Sequence, residues 1–217
     1  MQNMEQARFN MIEQQIRPCE VLEARILELL HKIRREHFVP DGKKALAFMD
    51  MEIPLGYGVS MWQPKLEARV LQELHLTRSD RVLEVGTGSG YLTALLSALA
   101  AHVTSVEIEP ALSAMAKAHL HAYQRENVAL EIGDAACGWG DEKYDAIVLT
   151  GSVPLLPDVF QNSLKLGGRL FAIVGSGALM EARLITRVGP DVFETVNIME
   201  TSVAALKNAP QPAKFVF

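Results

Sequence analysis

The chain has 217 residues, of which 49% are hydrophobic and 22% are charged, a composition that excludes a disordered chain. Its formal net charge is −5 and it has no long run of lysines or arginines, which argues against nucleic acid as the main partner. The length predicts one domain of ordinary size with a helical extension.

The amino-terminal residues are predicted to be helical. Apolar side chains recur at helical spacing over residues 4–17 and 19–35, and a proline separates the two helices. Residues 40–64 are punctuated by proline and glycine, which predicts a loop. Pro64 suits the first turn of a further helix that continues to about Leu76.

From residue 80 onward, strands and helices alternate. Alternating units with short connections predict a parallel sheet covered by helices on both faces. The predicted strands are RVLEVG, HVTSVEI, NVALEIGD, YDAIVLTG and GRLFAIVG, and the predicted helices are residues 90–100, 110–124 and 155–165. Residues 181–189 and 193–203 predict two more strands, joined through Gly189 and Pro190 as an antiparallel hairpin on the sheet edge.

The sequence predicts no membrane segment and no metal site. No apolar run approaches the roughly 20 residues of a membrane span, and the polar start of the chain does not resemble a signal peptide. Cys19 and Cys137 form no C-x-x-C pair, so neither a disulfide framework nor a zinc site is indicated. We therefore expect a cytoplasmic protein that needs no metal ion.

The segment LEVGTGSGY has the clearest chemical meaning, because it ends a strand and opens a helix. Gly86, Gly88 and Gly90 form a G-x-G-x-G pattern. The pattern lacks the last glycine of a dinucleotide fingerprint and the lysine of a nucleotide-triphosphate loop. By itself it is also compatible with a tight turn that only lets a helix pack on a sheet.

Two acidic residues strengthen the prediction of a ligand site. Glu107 ends the second strand about 20 residues beyond the first glycine, where an acid can receive the ribose hydroxyls of an adenosine. Asp134 ends the third strand and can accept from an adenine amino group. Carboxyl ends of neighbouring parallel strands form the ligand crevice of such sheets. The alternative for each residue separately is a helix N-cap.

Five segments resemble, in order, the motifs of class I S-adenosylmethionine-dependent methyltransferases: LEVGTGSGY, VTSVEIEP, GDAACGWG, YDAIVLTGSVP and LKLGGRLFAIVG. More narrowly, the chain resembles the protein-L-isoaspartate (D-aspartate) O-methyltransferase family, because REHFVP and ALAFMDMEIPLGYGVSMWQP precede the glycine loop. The resemblance covers roughly residues 8–188. It implies an α/β, Rossmann-like fold with a mostly parallel doubly wound sheet, a C-terminal antiparallel hairpin and an N-terminal helical extension.

The resemblance also divides the chain and assigns the cofactor site. Residues 1–64 would carry the helices and the acceptor-site loop, and residues 65–217 the S-adenosylmethionine-binding core, as one compact unit. Glu84 and the glycines would shape the methionine pocket, Glu107 would bind the ribose, and Asp134 would lie by the adenine. The implied cofactor-binding residues are Glu84, Gly86, Thr87, Gly88, Gly90, Glu107, Ile108, Asp134 and Ala135.

The implied reaction needs little from side chains. Its acceptor is a carboxylate, which is already ionised at neutral pH. Transfer of a methyl group from the sulfonium is an in-line displacement that requires alignment and exclusion of water, so no general base is needed.

The acceptor loop departs from the family pattern, which reads approximately G-Y-G-x-T-I-S-Q-P. Ser60 stands at the threonine position and Trp62 at the serine position, while Gln63 is retained. The family's serine is associated with holding the acceptor carboxylate, so the resemblance places Ser60, Trp62 and Gln63 at the acceptor site. The alternative is a core or lid tryptophan without substrate contact. The tail METSVAALKNAPQPAKFVF also has little likeness to the family's ending.

The sequence therefore predicts a methyltransferase that acts on a carboxylate in the manner of protein repair, with a peptide, a protein or a small carboxylic acid as partner. Because the expected hydroxyl is missing, we expect weak methylation of isoaspartyl peptides. Two alternatives remain: a relative that methylates another carboxylate, and a non-catalytic protein that binds S-adenosylmethionine as a sensor or partner subunit. The oligomeric state is not predicted.

Overall fold

The structure is a computed structural model, and it describes residues 4–213. Residues 1–3 and 214–217, which the predicted division of the chain includes, lie outside the described residues. The α-helices are α1 (Met4–Met11), α2 (Ala24–Lys32), α3 (Pro64–Leu74), α4 (Tyr91–Leu99), α5 (Pro110–Ala122) and α6 (Asp158–Asn162). Short π and 3-10 turns extend α1 as far as Cys19, and 3-10 turns occupy Arg35–His37 and Lys44–Leu46.

Seven strands form the main sheet in the order β5-β4-β3-β6-β7-β8-β9. The first five run parallel to one another, and β8 and β9 are antiparallel additions at one edge. The strands are β3 (Arg81–Val85), β4 (His102–Glu107), β5 (Val128–Ile132), β6 (Tyr144–Val153), β7 (Leu164–Ser176), β8 (Leu179–Gly189) and β9 (Val192–Thr201). This confirms the predicted α/β architecture and its C-terminal hairpin.

The predicted loop over residues 40–64 contains a small separate hairpin. Strands β1 (Ile53–Gly56) and β2 (Val59–Met61) pair antiparallel around Tyr57 and Gly58. The φ values are positive at the turn, 94° for Gly56, 55° for Tyr57 and 77° for Gly58, which fits a tight hairpin. We identified the glycines from the sequence and missed the strands, because each strand has only three or four residues.

The predicted helix over residues 155–165 is too long. Helix α6 covers only Asp158–Asn162, with Pro157 as its N-terminal flanking residue. Strand β7 begins at Leu164, which is fully buried and lies opposite Tyr144 of β6. Sheet pairing and burial of Leu164 therefore override its helical context, and the strand starts within the predicted helix.

Buried apolar side chains cover both faces of the sheet. On one face a single cluster joins Ile12 and Leu30 of the N-terminal helices to Leu71 of α3 and Phe171 of β7. The opposite face packs a second cluster around α6 and Phe160. The first cluster spans the boundary at residue 64, which supports the proposal that the two segments are one compact unit. Among residues 4–213 no helix has the length and apolarity to cross a bilayer.

After β9, the chain turns back across the carboxyl end of the sheet. Ala205 forms a parallel bridge with Ser152 at the end of β6. The backbone N–H of Ser152 donates to the carbonyl of Ala204 at 3.0 Å, and the N–H of Leu206 donates to the carbonyl of Ser152 at 2.9 Å. The segment that follows β9 is thus anchored over the place where β3, β4 and β6 end.

Candidate functional site

A cleft opens at the carboxyl ends of the parallel strands. Its floor is the glycine loop after β3, its sides are the segments that follow β4, β5 and β6, and the β1–β2 hairpin and the C-terminal segment cover it. The predicted site residues that line it are Ser60, Trp62, Glu84, Gly86, Thr87, Gly88, Glu107, Ile108, Asp134 and Ala135. Gln63 and Gly90 do not line it.

The three glycines of the loop lie in different surroundings, and a side chain at each would meet a different neighbour. At Gly86, where φ is +96°, a Cβ would lie 2.2 Å from the hydroxyl oxygen of Thr150. At Gly88, where φ is +54°, a Cβ would lie 3.4 Å from the side chain of Leu55 and would otherwise face the open cleft. At Gly90, a Cβ would lie 3.0 Å from the Cβ of Ala116 on α5, so Gly90 allows two helices to pack closely.

Glu84 is a fully buried carboxylate behind the loop. One oxygen, Oε2, accepts hydrogen bonds from the hydroxyls of Thr93 and Ser105, and Ser105 in turn contacts the Thr87 hydroxyl at 2.6 Å. The other oxygen, Oε1, is buried and has no donor among the described residues. Burial raises the pKa of Glu84 to about 7, although the two hydroxyl donors oppose the rise. A cationic ligand group is the natural complement of this unpaired acceptor.

Glu107 is held by backbone donors at the end of β4. Its Oε2 accepts from the N–H of Gly88 at 2.8 Å and its Oε1 from the N–H of Glu109 at 3.0 Å. The side chain is only 5% exposed, yet it lines the cleft. An oriented carboxylate of this kind can accept from a pair of ribose hydroxyls. Ile108, which follows it, supplies an apolar surface to the same cleft.

Asp134 and Ala135 follow β5 on the far side of the cleft. Asp134 is exposed, and its Oδ1 accepts from the N–H of Ala136 at 3.0 Å. Its Oδ2 accepts from the side-chain amide of Asn208 at 2.8 Å. The carboxylate is therefore oriented by its own loop and by the C-terminal segment, while Ala135 is buried and adds an apolar wall.

Trp62 both packs in the core and lines the cleft. It is 5% exposed, and its ring packs against Phe171 with 6.5 Å between centroids. Ser60 is half-buried on β2 opposite Pro54 and lines the same cleft, so Ser60 and Trp62 face a common space. Gln63 lies outside the lining, and its carbonyl accepts the first backbone bonds of α3. Trp62 is therefore a core residue that also lines the cleft, and its assignment to an acceptor site stays a prediction.

A buried ion pair contacts the backbone of Trp62. Arg35 is fully buried, pairs with Glu67 of α3, and donates to the carbonyls of Trp62 and Ala47. Burial raises the pKa of Glu67 to about 8, an effect that the Arg35 guanidinium opposes. Because Arg35 bonds to both Glu67 and the Trp62 carbonyl, it links the segment after β2 to α3, and Glu67 also lines the cleft. We missed both residues, since a charged residue in an amphipathic helix gives no sign of burial.

Further cleft residues were not predicted from the sequence. Thr150 and Gly151 lie in the last part of β6, and their place at the end of the predicted strand YDAIVLTG was a usable signal. Glu52 at the start of the β1–β2 hairpin is half-buried, and burial raises its pKa. The C-terminal segment contributes four more lining residues, although its sequence carries no pattern that would have indicated them: Ala204, Ala205, Leu206 and Lys207.

Within residues 4–213, no group of three or more His, Cys, Asp or Glu side chains is arranged to hold a metal.

The parallel sheet, the glycine loop and the acids that follow β4 and β5 together define a class I S-adenosylmethionine-dependent methyltransferase. Comparison with known proteins makes the assignment more specific. The family model described as protein-L-isoaspartate(D-aspartate) O-methyltransferase matches residues 6–208. The chain belongs to this family, which confirms the predicted fold, enzyme class and cofactor, S-adenosylmethionine.

Individual relatives agree with the family match. The chain is 37% identical over 195 residues to a protein-L-isoaspartate O-methyltransferase of Syntrophus aciditrophicus, covering 89% of each chain. It is 40% identical over 156 residues to one of Myxococcus xanthus, covering 71% of this chain and 74% of the relative. The fold is shared with a solved Plasmodium falciparum structure, described as a protein-L-isoaspartate O-methyltransferase in complex with S-adenosyl-L-homocysteine. Its TM-score is 0.78 at 16% identity, and the match covers 95% of this chain and 99% of that one.

The family match corrects the extent of the resemblance. We expected it to cover roughly residues 8–188, with a tail unlike the family, but the match continues to residue 208. It therefore includes the part of the C-terminal segment that lies over the cleft. We missed this because the segment has neither periodicity nor a recognisable motif.

Proposed function

We propose that the protein transfers a methyl group from S-adenosylmethionine to the free carboxylate of isoaspartyl residues in peptides and proteins. The observation that carries the proposal is the cleft itself, in which an oriented acid for ribose, an unpaired buried carboxylate oxygen and the acceptor hairpin surround one space. When bound, S-adenosylmethionine supplies an electrophilic methyl group on a sulfonium. Every other requirement falls on residues of this chain.

We assign the residues of the cleft to parts of the cofactor. The side chain of Glu107 would accept from the ribose hydroxyls, and Asp134 would accept from the adenine amino group, with Ile108 and Ala135 as apolar walls. The unpaired Oε1 of Glu84 would accept from the ammonium of the methionine moiety. A cation beside Glu84 stabilises the ionised carboxylate, so its pKa falls when the site is filled. Residues 86–88 would allow close approach of the backbone.

The acceptor would lie under the β1–β2 hairpin. Ser60 offers a hydroxyl that can donate to a carboxylate, and Trp62 closes the space beside it and excludes water. No residue is needed to remove a proton, because the attacking oxygen is already ionised. Gln63 does not line the cleft, so we propose that it acts on the acceptor site through the start of α3. The replacement of the family's serine by Trp62 predicts slow turnover.

The test is methyl transfer from S-[methyl-³H]-adenosylmethionine to a matched pair of peptides that differ only in an isoaspartyl or an aspartyl linkage. We expect label only in the isoaspartyl peptide, as a base-labile ester. If S-adenosylhomocysteine binds but another carboxylate is methylated in preference, the protein is a relative with a different acceptor. Binding without turnover on a mixed panel of carboxylates would indicate a sensor or partner subunit.

Three further points remain proposals from the sequence. The cytoplasmic location rests on the apolar-run and cysteine arguments made from the sequence, and the absence of a nucleic-acid partner rests on the charge. The division into residues 1–64 and 65–217 rests on the family resemblance, and the shared apolar cluster supports a single unit.

A further inference from the structure

The segment from Ser202 to Ala209 is fixed firmly enough to position a side chain. Besides its backbone bonds to Ser152, it buries Val203 and Ala209, which are 6% and 5% exposed. Leu206 packs so closely on the end of β6 that a Cβ at Gly151 would lie 2.8 Å from the Leu206 nitrogen. The segment is therefore an anchored wall of the cleft.

Asn208 lies at the point where this wall meets the loop after β5. Its side-chain amide donates to Oδ2 of Asp134 at 2.8 Å, across 74 residues of chain. Asn208 has φ +61°, a left-handed conformation that asparagine tolerates better than most residues. Its neighbour Lys207 lies 3.9 Å from the carboxylate of Glu109, so the segment contacts acids on both sides of the predicted adenosine position.

We propose that Asn208 is a positioning residue that sets the base specificity of the cofactor site by holding the carboxylate of Asp134. This inference rests on the proposed placement of adenine beside Asp134. A carboxylate can only accept hydrogen bonds, so a correctly oriented Asp134 favours the amino group of adenine and disfavours a base with an oxygen at the same position. The Asn208 amide occupies one lone pair of Oδ2 and fixes the direction of the others. Without it, a single hydrogen bond, from the N–H of Ala136 to Oδ1, orients the exposed Asp134 side chain.

The experiment compares the binding of S-adenosyl-L-homocysteine with that of S-inosyl-L-homocysteine, in which hypoxanthine replaces adenine. In the wild type we expect the adenine ligand to bind about 10- to 100-fold more tightly, as for a hydrogen bond to a charged group. In Asn208→Gly the preference should fall about 3- to 10-fold. Glycine is the substitution of choice because it keeps the left-handed backbone without strain.

Two further variants separate positioning from simple packing of the segment. Gln211→Gly removes a side-chain amide that donates to the Ala209 carbonyl, so it tests loosening of the same segment without a contact to Asp134. We expect it to leave the ratio of the two affinities unchanged. In an Asp134→Ala background, Asn208→Gly should produce no further change in the ratio, because its effect passes through Asp134.

The outcomes distinguish this inference from the proposed function. A wild type that binds neither ligand contradicts the cofactor site itself. A wild type that prefers adenine, together with an Asn208→Gly variant of normal circular dichroism and unchanged preference, overturns the inference alone. An equal loss in Asn208→Gly and Gln211→Gly also overturns it, since the segment would then act only by packing.

Discussion

At the scale of single residues, Glu107 connects the ligand site to the backbone of the glycine loop. Its two oxygens accept from the N–H groups of Gly88 and Glu109. Glu107→Ala removes the proposed acceptor for the ribose and also leaves these donors without the carboxylate that binds them. We expect the dissociation constant of S-adenosylhomocysteine to rise about 10- to 100-fold, the equivalent of about 1.5–3 kcal/mol. Calorimetry on the folded variant measures the change.

The control for Glu107→Ala is Glu28→Gln, which alters an exposed acid on α2 paired with Lys32. It should bind as the wild type does. If Glu107→Ala also keeps the wild-type affinity, the ribose does not lie at Glu107 and the orientation of the cofactor must be revised.

We expect the substitution Trp62→Ser to lower stability and to raise turnover. Removing its indole leaves a void against Phe171, so Trp62→Ser should lower the free energy of unfolding by about 3–5 kcal/mol. The same change introduces a hydroxyl at the proposed acceptor site, where the family pattern has a serine, and makes room there. We therefore expect faster methylation of isoaspartyl peptides per folded molecule and an unchanged affinity for S-adenosylhomocysteine. Urea unfolding and methyl-transfer kinetics measure the two effects separately.

Trp62→Phe is the matched variant, since it keeps an apolar ring without adding a hydroxyl. A gain in Trp62→Ser alone assigns the effect to the hydroxyl, and a gain in both assigns it to the space released. Fast wild-type turnover that both substitutions reduce would show that tryptophan belongs to a working acceptor pocket, and our expectation of a slow enzyme would be wrong.

The raised pKa of Glu84 should make the stability of the protein depend on pH. Its pKa is raised by burial from 4.5 to about 7 in the folded protein, so between these values the folded state holds a proton that the unfolded state has lost. Stability is therefore highest below the unfolded pKa and falls as the pH rises through the folded one. The loss is on the order of 3 kcal/mol for a group this deeply buried. Glu84→Gln cannot titrate, so the variant should lose less stability than the wild type between pH 4.5 and about pH 7.

Urea unfolding of Glu84→Gln and the wild type at several pH values in this window checks the prediction, with Glu28→Gln as the control. Parallel pH profiles for Glu84→Gln and the wild type would show that Glu84 is ionised in the folded protein throughout. In that case the Glu84 carboxylate must be solvated or ion-paired in the folded protein, contrary to the dry environment that the structure indicates.

At the scale of elements, the glycine loop contains positions with distinct roles. Gly90→Ala would bring a Cβ to 3.0 Å from Ala116 at a φ of +80°, so it should lower stability by about 1–3 kcal/mol through the contact between α4 and α5. Gly88→Val should instead abolish cofactor binding and keep the helix content, because its side chain points toward open space in the cleft. Ala116→Gly should partly restore Gly90→Ala and have no such effect on Gly88→Val.

Circular dichroism, urea unfolding and ligand binding together test this division of roles. If Gly88→Val binds the cofactor as the wild type does, the loop is only a structural turn and does not contact the ligand at Gly88. Loss of binding in a fully stable Gly90→Ala variant would mean that Gly90 also approaches the ligand, as the family resemblance implies.

The parts of the fold that could be predicted are those that repeat or form a continuous pattern. The five parallel strands and the loop glycines are local signals, so Glu107 and Asp134 could be placed at neighbouring strand ends before the structure was known. The β1–β2 hairpin is too short for a periodic pattern. Leu164 starts a strand only because Tyr144 lies beside it, a contact that is absent from the local sequence. The pairing of Arg35 with Glu67 and the hydrogen bond from Asn208 to Asp134 are contacts between distant parts of the chain. The local sequence around these residues gives no sign of them.

At the scale of the whole molecule, the cleft joins three separate parts of the chain. The sheet contributes its strand ends, the amino-terminal part contributes the β1–β2 hairpin, and the segment after β9 closes the far side. A ligand that contacts all three parts can bind only when they are folded together. Its binding free energy is therefore added to the stability of the entire molecule.

We expect S-adenosylhomocysteine at about 100 times its dissociation constant to add about 2.7 kcal/mol, which corresponds to a rise in Tm of about 5–10 °C for a chain of this size. Adenosine alone lacks the methionine part that we propose to lie beside Glu84, and it should give a smaller rise at the same concentration. Glu107→Ala, tested at the wild-type ligand concentration, should lose most of the rise. Differential scanning calorimetry checks this with one cooperative transition as the requirement. Two transitions, of which only the later one moved with ligand, would show that residues 4–64 unfold separately from the core and that the cleft does not unite the molecule.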